Sequence, residues 1–136
     1  MSNITQIVEV DKSMTTLKRG VMASGLHKTL SETGPYTMFA PSDKAFEMLD
    51  KAVVEDLLNP ENKTRLVDVL NVYVVAGKIV LKDLKDGEKL MTINGRELNV
   101  QVSEGVVTVD GAEVHRKEVK ASNGCIYSLD TVMMKN

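Results

Sequence analysis

Glycine placement constrains the fold of this chain more than any other feature of its sequence. From Val72 onward, glycines recur at turn-like intervals between short segments rich in β-branched residues. They occur as Gly77, Asp86-Gly87, Asn94-Gly95, Gly105, Asp110-Gly111 and Asn123-Gly124. Asp-Gly and Asn-Gly steps favour tight turns because these residues tolerate positive φ. The second half of the chain is therefore predicted to consist mostly of strands.

The residues between these turns support the same prediction. Apolar and polar residues alternate in three runs, at Leu98, Val100 and Val102, at Val107 and Val109, and at Cys125, Tyr127 and Leu129. This period of two is typical of strands with one buried and one solvated face. A hairpin is expected around Gly105, and a further strand is expected after Asn123-Gly124.

The first half of the chain has a helical pattern. Apolar residues recur at helical spacing at Leu17, Val21, Leu26 and Leu30. Because Ser24-Gly25 interrupts this pattern, two short helices are expected, with Asp11 or Ser13 capping the first. Gly34-Pro35 ends the helical pattern, and the apolar run at residues 36–40 is predicted to form a strand.

Two further helix starts follow. Ser42 is suited to cap a helix, with Asp43 near the positive end of the helix dipole. Asn59-Pro60 predicts another start, because proline at the first helical position removes only an amide that has no partner there. No low-complexity linker or internal repeat separates these parts. Residues 4–134 are therefore predicted to form a single α+β domain.

Charge and hydropathy exclude several classes of function. The 136 residues include 17 basic and 19 acidic side chains, for a net charge of -2, so no bulk positive field is available to collect nucleic acid. The longest stretch without a charge or histidine, residues 33–42, is about half the length of a membrane-spanning helix. No nucleic-acid partner and no transmembrane segment are predicted.

Targeting and redox signals are sparse. Residues 1–11 lack the basic and apolar regions of a signal peptide. Cys125 is the only cysteine, which excludes an internal disulfide and a cysteine-rich metal site.

Four motifs resemble signature segments of the fasciclin (FAS1) domain family. They are TMFAPSDKAF at residues 37–46, VVAGK at 74–78, TING at 92–95 and ASNGCIYSLDTV at 121–132. Their order and spacing agree with the family over residues 4–133. The resemblance implies a wedge-shaped β-sandwich of two sheets with a layer of short helices. It also implies a microbial single-domain member of a family used for binding rather than catalysis.

The chain departs from the family pattern at several positions. Val72 and Tyr73 occupy the positions where the family usually has Tyr and His, and Tyr127 stands where it frequently has His. Tyrosine fills a similar volume and offers a hydroxyl group, so a structural role is expected to survive at Tyr127. In some animal members an Asp-Ile pair is implicated in integrin binding. The matching residues here are Glu118 and Val119.

The remaining polar candidates are the two histidines, the Ser42-Asp43 pair and the basic run at residues 115–120. His27 and His115 have no second ligand at zinc-like spacing, so no metal site is predicted. Ser42, Asp43 and a distant histidine are a conceivable nucleophile set, but helix capping explains Ser42 and Asp43. Residues 115–120 form a basic cluster that suits either an acidic partner or a protected edge strand.

The sequence thus predicts a monomeric, non-catalytic interaction module for cell or matrix adhesion. Its expected partner is a protein or glycan at a cell surface or in a matrix, bound through Val72, Tyr73, Glu118 and Val119. No catalytic residue and no cofactor are predicted. The alternative is a small-molecule or lipid-binding domain with an apolar pocket between sheet and helices, suggested by eight adaptable methionines. The resemblance implies an extracellular, periplasmic or cell-surface location, and the sequence leaves a cytoplasmic one open.

Overall fold

A computed structural model describes residues 2–115 and 117–132 of the chain. Its helices are α1 (Ile4–Val10), α2 (Thr15–Ser24), α3 (Leu26–Thr29), α4 (Asp43–Glu47), α5 (Lys51–Leu58) and α6 (Lys63–Asn71), with 3-10 turns at Pro60–Asn62 and Leu81–Asp83. Its strands are β1 (Tyr36–Pro41), β2 (Val74–Ala76), β3 (Lys89–Met91), β4 (Glu97–Ser103), β5 (Val106–Val109), β6 (Ala112–Glu113), β7 (Val119–Ala121) and β8 (Gly124–Leu129).

The strands form two sheets of four, in the orders β2-β1-β8-β7 and β3-β4-β5-β6. The central pair of the first sheet, β1 and β8, is parallel, with Tyr36 opposite Gly124 and Pro41 opposite Leu129. The other pairings within the two sheets are antiparallel. The predicted α+β class is confirmed, as are the strand at residues 36–40 and the hairpin around Gly105.

The hydrophobic core has two parts, one on each face of the first sheet. Phe39 of β1 and Tyr127 of β8 point into the inter-sheet core, which lies between the two sheets. Met38 and Ile126, one residue away on each strand, point into the helical core beneath α1, α2 and α6. Because successive side chains of a strand face opposite sides, β1 and β8 are buried on both faces and read as continuous apolar runs.

The helices follow the sequence signals with several differences. The break at Gly25 is confirmed, since this residue has φ 82° and separates α2 from α3. The helix after Ser42 ends at Glu47, and α5 starts separately with Asp50 as its cap. Helix α1 was not predicted. The expected cap of α2 at Asp11 or Ser13 is wrong, because its N-cap residue is Met14.

Asn123 connects distant segments of the fold through its side chain. Its Oδ1 accepts from the amide of Ile4 at 3.0 Å, and its Nδ2 donates to the carbonyls of Leu30 and Glu32, each at 2.7 Å. The backbone carbonyl of Asn123 also accepts from the amide of Tyr36 at 2.9 Å. One amide side chain therefore joins the start of α1 to the end of α3 beside the central strand pair.

Candidate functional site

The structure places two of the four expected binding residues inside the protein. Val72 and Tyr73 lie between α6 and β2, with 7% and 5% of their surface exposed, and both belong to the inter-sheet core. The backbone carbonyl of Tyr73 accepts from the amide of Phe39 at 2.8 Å, which fixes the turn against β1. Both side chains thus face the core, and their part in partner binding stays a prediction.

Glu118 and Val119 lie at the start of β7, an edge strand of the first sheet. Val119 is 38% exposed. The Oε2 atom of Glu118 is shielded from solvent and accepts no hydrogen bond from the described part of the chain. Its recorded ion-pair partner, Lys78 Nζ, lies 3.9 Å away and is half exposed. The site thus combines a poorly satisfied carboxylate with an exposed apolar side chain. Arg116 of the predicted basic cluster lies outside the described residues.

A hydrogen-bond network behind this edge positions Lys78. Thr37 Oγ1 donates to the carbonyl of Gly77 at 2.7 Å and accepts from the amide of Ile79 at 2.8 Å. The hydroxyl of Tyr127 donates to the carbonyl of Ile79, also at 2.8 Å. Burial raises the pKa of Tyr127 to about 12, so this phenol stays protonated and keeps donating at physiological pH. The tyrosine therefore has a structural role at a position where the family often has histidine.

Ser42, Asp130 and His115 form a second polar cluster, where β1 and β8 end. Asp130 Oδ1 accepts from Ser42 Oγ at 3.2 Å, and Asp130 Oδ2 lies 2.7 Å from His115 Nε2. Burial alone would raise the pKa of Asp130, but the hydrogen bond and charge of His115, together with Ser42, lower it below its ordinary value. The aspartate lies between the other two groups, so His115 is not placed to remove a proton from Ser42.

The carboxylate of Asp43 does not join this cluster but contacts the start of α2. Its Oδ1 accepts from the amide of Thr16 at 2.8 Å and its Oδ2 from Thr15 Oγ1 at 2.7 Å, so it supplies the side-chain cap that Met14 cannot. Burial would raise the pKa of Asp43, but these hydrogen bonds outweigh it and lower the pKa. The imagined nucleophile set of Ser42, Asp43 and a histidine is therefore not assembled. Ser42 occupies the N-cap position of α4 without a side-chain capping bond.

A cleft that the sequence did not locate lies between α4, α5, α6 and the turn before β2. Its volume is about 200 Å³, and we call it the Phe46 cleft. Its apolar wall includes Phe46, Leu49, Leu57, Val69, Val72 and Tyr73. Leu70 and Val132 also line it, and its three charged lining residues are Arg65, Arg96 and Asp110. No sequence pattern indicated it, because its wall is drawn from segments that are far apart in the chain.

Metal and membrane features are absent from the parts that the structure describes. Within residues 2–115 and 117–132, no group of three or more His, Cys, Asp or Glu side chains is placed to hold a metal ion. In the same ranges, none of the helices combines the length and the apolar character needed to cross a bilayer.

Comparisons with known proteins all point to one family. The model of the fasciclin domain matches residues 12–135. Protein sll1483 of Synechocystis sp. is 39% identical over 96% of this chain and 72% of its own length. Transforming growth factor-beta-induced protein ig-h3 of Sus scrofa is 32% identical over 98% of this chain but only 19% of its own length.

The fold has a solved counterpart. A structure of a FAS1 domain pair from the insect cell adhesion molecule fasciclin I matches 98% of this chain and 51% of that chain, with a TM-score of 0.85 and 19% sequence identity. At this level of identity the likeness concerns the fold.

Proposed function

Because this chain belongs to the fasciclin domain family, we propose that it is a non-catalytic interaction module that binds a protein or glycan at a cell surface or in a matrix. The family match over nearly the whole chain supports the proposal. So does the fold shared with a molecule described as a cell adhesion molecule.

The single observation that carries the proposed site is the Oε2 atom of Glu118, which has an ion pair with Lys78 but no hydrogen bond from the described residues. Its Oε2 is shielded from solvent, and Lys78 at 3.9 Å is too distant for a hydrogen bond. A buried acceptor without a hydrogen bond costs about 1 to 3 kcal/mol. Because this oxygen is shielded, a partner can reach it only when neighbouring side chains such as Lys78 move. An N–H or cationic donor brought to it would then recover that cost, so Glu118 is suited to anchor a complex.

Val119 supplies the apolar part of the same contact. It follows Glu118 directly and lies exposed on the edge strand β7. Contacts around an anchoring residue contribute to an interface by excluding water from it, and Val119 is placed to do this for Glu118. The half-exposed Lys78 can turn away at little cost, because exposed ion pairs at this distance contribute little.

Val72 and Tyr73 contribute indirectly in this proposal. Both are buried, so they support the turn before β2 rather than touch the partner. Their predicted role is tested by Val72→Ala, which is expected to lower stability more than it lowers adhesion.

The site is tested by two substitutions with matched controls. Glu118→Gln and Val119→Ser are compared with Glu113→Gln on β6 and Val106→Ser on β5, which replace exposed residues of the same types. Binding to immobilised matrix and cell-surface extracts is expected to weaken at least about tenfold for the first pair only. Equal adhesion by all four variants would reject this site, and no adhesion by the unmodified protein would reject the function.

The proposal has three further parts: the protein is exported, it is a monomer, and it has no catalytic activity. Fractionation of the source cells tests the location, and analytical ultracentrifugation tests the monomer. Ser42 is expected to stay unlabelled by a serine-reactive phosphonate, because its hydroxyl donates to Asp130 instead of to an imidazole. Covalent labelling at Ser42 would contradict the non-catalytic assignment.

A further inference from the structure

The packing around α5 leaves the Phe46 cleft open. None of the residues of α5 is buried, although its sequence KAVVEDLL is largely apolar. Val53 of this helix is 45% exposed, and Met48 just before it is 68% exposed. A smaller void of about 30 Å³ lies beneath α5 and shares Phe46, Leu57 and Val69 with the cleft. Apolar surface is thus left uncovered both inside the cleft and on and next to α5.

The charges lining the cleft favour an anion. The guanidinium of Arg96 has no hydrogen bond or ion pair with another described residue. Arg65 makes one exposed ion pair, with Asp56 at 3.5 Å. The opposing Asp110 has one carboxylate oxygen engaged by the amide of Asn99 at 2.8 Å. The three lining charges therefore sum to one positive charge, with guanidinium donors free.

We propose that the Phe46 cleft binds a single-chain carboxylic acid of medium length, of the fatty-acid type. The alkyl chain occupies the apolar wall, and the carboxylate pairs with Arg96 and Arg65. A planar guanidinium presents two parallel N–H donors that match a carboxylate. The volume of about 200 Å³ is smaller than the ~300 to 1000 Å³ usual for small-molecule sites, which favours one alkyl chain over fused rings.

This ligand site goes beyond the proposed adhesion function. Neither Glu118 nor Val119 lines the cleft, so adhesion and ligand binding are expected to be separable. Loss of ligand binding with adhesion intact, or the reverse, identifies which of the two proposals has failed.

The test titrates the full chain with sodium hexanoate, octanoate and decanoate, followed by amide NMR. Shifts are expected around Phe46, Leu57 and Val69. Each added methylene is expected to tighten binding about fourfold until the cleft is full. Decyltrimethylammonium, which has the same chain and the opposite charge, is expected to bind at least about tenfold more weakly than decanoate.

Two arginine variants separate a built site from general detergent binding. Arg96→Gln is expected to weaken decanoate binding about tenfold. Arg19→Gln is the matched control, because Arg19 is exposed, pairs with Glu55 and does not line this cleft. Both substitutions are at exposed positions and are expected to leave folding unchanged. Equal weakening by both, or by neither, overturns the proposal.

Three other results overturn it as well. Decanoate binding that lacks a chain-length trend points to nonspecific adsorption. Binding to phosphatidylglycerol vesicles without binding to decanoate assigns the surface to a membrane. The described wall of the cleft ends at Val132. The third test uses a protein shortened to end at Val132. If this protein binds decanoate and the full chain does not, the cleft is occupied by residues 133–136 and not by a ligand.

Discussion

The Asn123-Gly124 step and the region around α5 belong to the same domain but are packed in opposite ways. At the step, every polar group of the Asn123 side chain is hydrogen-bonded, and a Cβ at Gly124 would collide with the carbonyl oxygen of Tyr36. Around α5, the helix buries none of its residues and lies over a cleft and a void. The tightly packed Asn123-Gly124 step fixes the path of the chain. The loosely packed region around α5 leaves apolar surface exposed, where we propose that a ligand binds.

The largest expected effect is that of Gly124→Ala. Gly124 has φ 151°, and the added methyl group would collide with backbone atoms, which cannot rotate away. A loss of more than about 4 kcal/mol in the free energy of unfolding is expected, measured with urea. The control is Gly25→Ala, where φ is also positive but nothing lies within 4 Å, so a loss of about 1 to 2 kcal/mol is expected. Similar losses at both sites would refute the close-approach argument.

The next effect is that of Asn123→Ala. This substitution leaves the carbonyls of Leu30 and Glu32 and the amide of Ile4 without their partner. Each unsatisfied buried group costs about 1 to 3 kcal/mol, so a total loss of about 3 kcal/mol is expected in the same urea titration. Asn94→Ala is the control, since its exposed amide donates once, to Asp68 at 3.2 Å, and a loss below about 0.5 kcal/mol is expected.

Asp43 connects α4 to the start of α2, and its contribution to stability depends on pH. Its folded pKa is lowered by Thr16 and Thr15 against the opposing effect of burial. Its stabilisation is therefore fully present above the unfolded pKa near 3.8 and is lost as the pH falls through that value toward the folded pKa. Asp43→Asn is expected to reduce the melting temperature at pH 7 and to make little difference at pH 2.

The matched control for this pH dependence is Asp68→Asn on the exposed surface of α6. Its side chain accepts no hydrogen bond from the described residues. The melting temperature of this variant is therefore expected to be close to that of the parent protein at both pH 7 and pH 2. A deficit of Asp43→Asn that stays constant between pH 7 and pH 2 would show that the carboxylate charge is not the stabilising feature.

The smallest effect is a gain of stability at Gly20→Ala. The new Cβ on α2 would lie 3.1 Å from Leu70 Cδ1, which is tight, but Leu70 borders the void beneath α5 and has room to shift. Alanine is about 0.8 to 1.0 kcal/mol better than glycine in a helix, so a gain of about 0.5 kcal/mol is expected in urea unfolding. A loss at this position would show that the region around α5 is packed as rigidly as the Asn123-Gly124 step.

Much of the fold was predictable because local rules and the final structure agree. The alternating run of β4, the turn at Gly105 and the break at Gly25 each depend on neighbours within a few residues. Helix α1 was missed because its capping box, made by Asn3 and Gln6, was not considered. The helix expected after Ser42 is present as α4, which ends at Glu47, and α5 is a separate helix that Asp50 caps.

The candidate sites were less predictable, because they depend on contacts between distant segments. Alignment to the family placed Val72 and Tyr73 at a binding position, but only the packed structure shows that both face inward. Asp43 lies in the first turn of α4 as expected, but only the structure shows that its carboxylate also accepts from the amide of Thr16, 27 residues earlier in the chain. The Phe46 cleft has no local signature, since Arg65 and Arg96 approach it from different elements.

The sequence alone determined the class of fold, the position of most turns and the family, because turn chemistry and hydrophobic period are properties of a few adjacent residues. The tertiary structure alone decided which side chains are available. Folding placed Val72 and Tyr73 in the core and at the wall of the Phe46 cleft, left a Glu118 oxygen without a hydrogen bond from the described residues and kept apolar area around α5 uncovered. The physical reason is that exposure and hydrogen-bond satisfaction depend on all segments that meet at a point, and those meet only when the chain is folded.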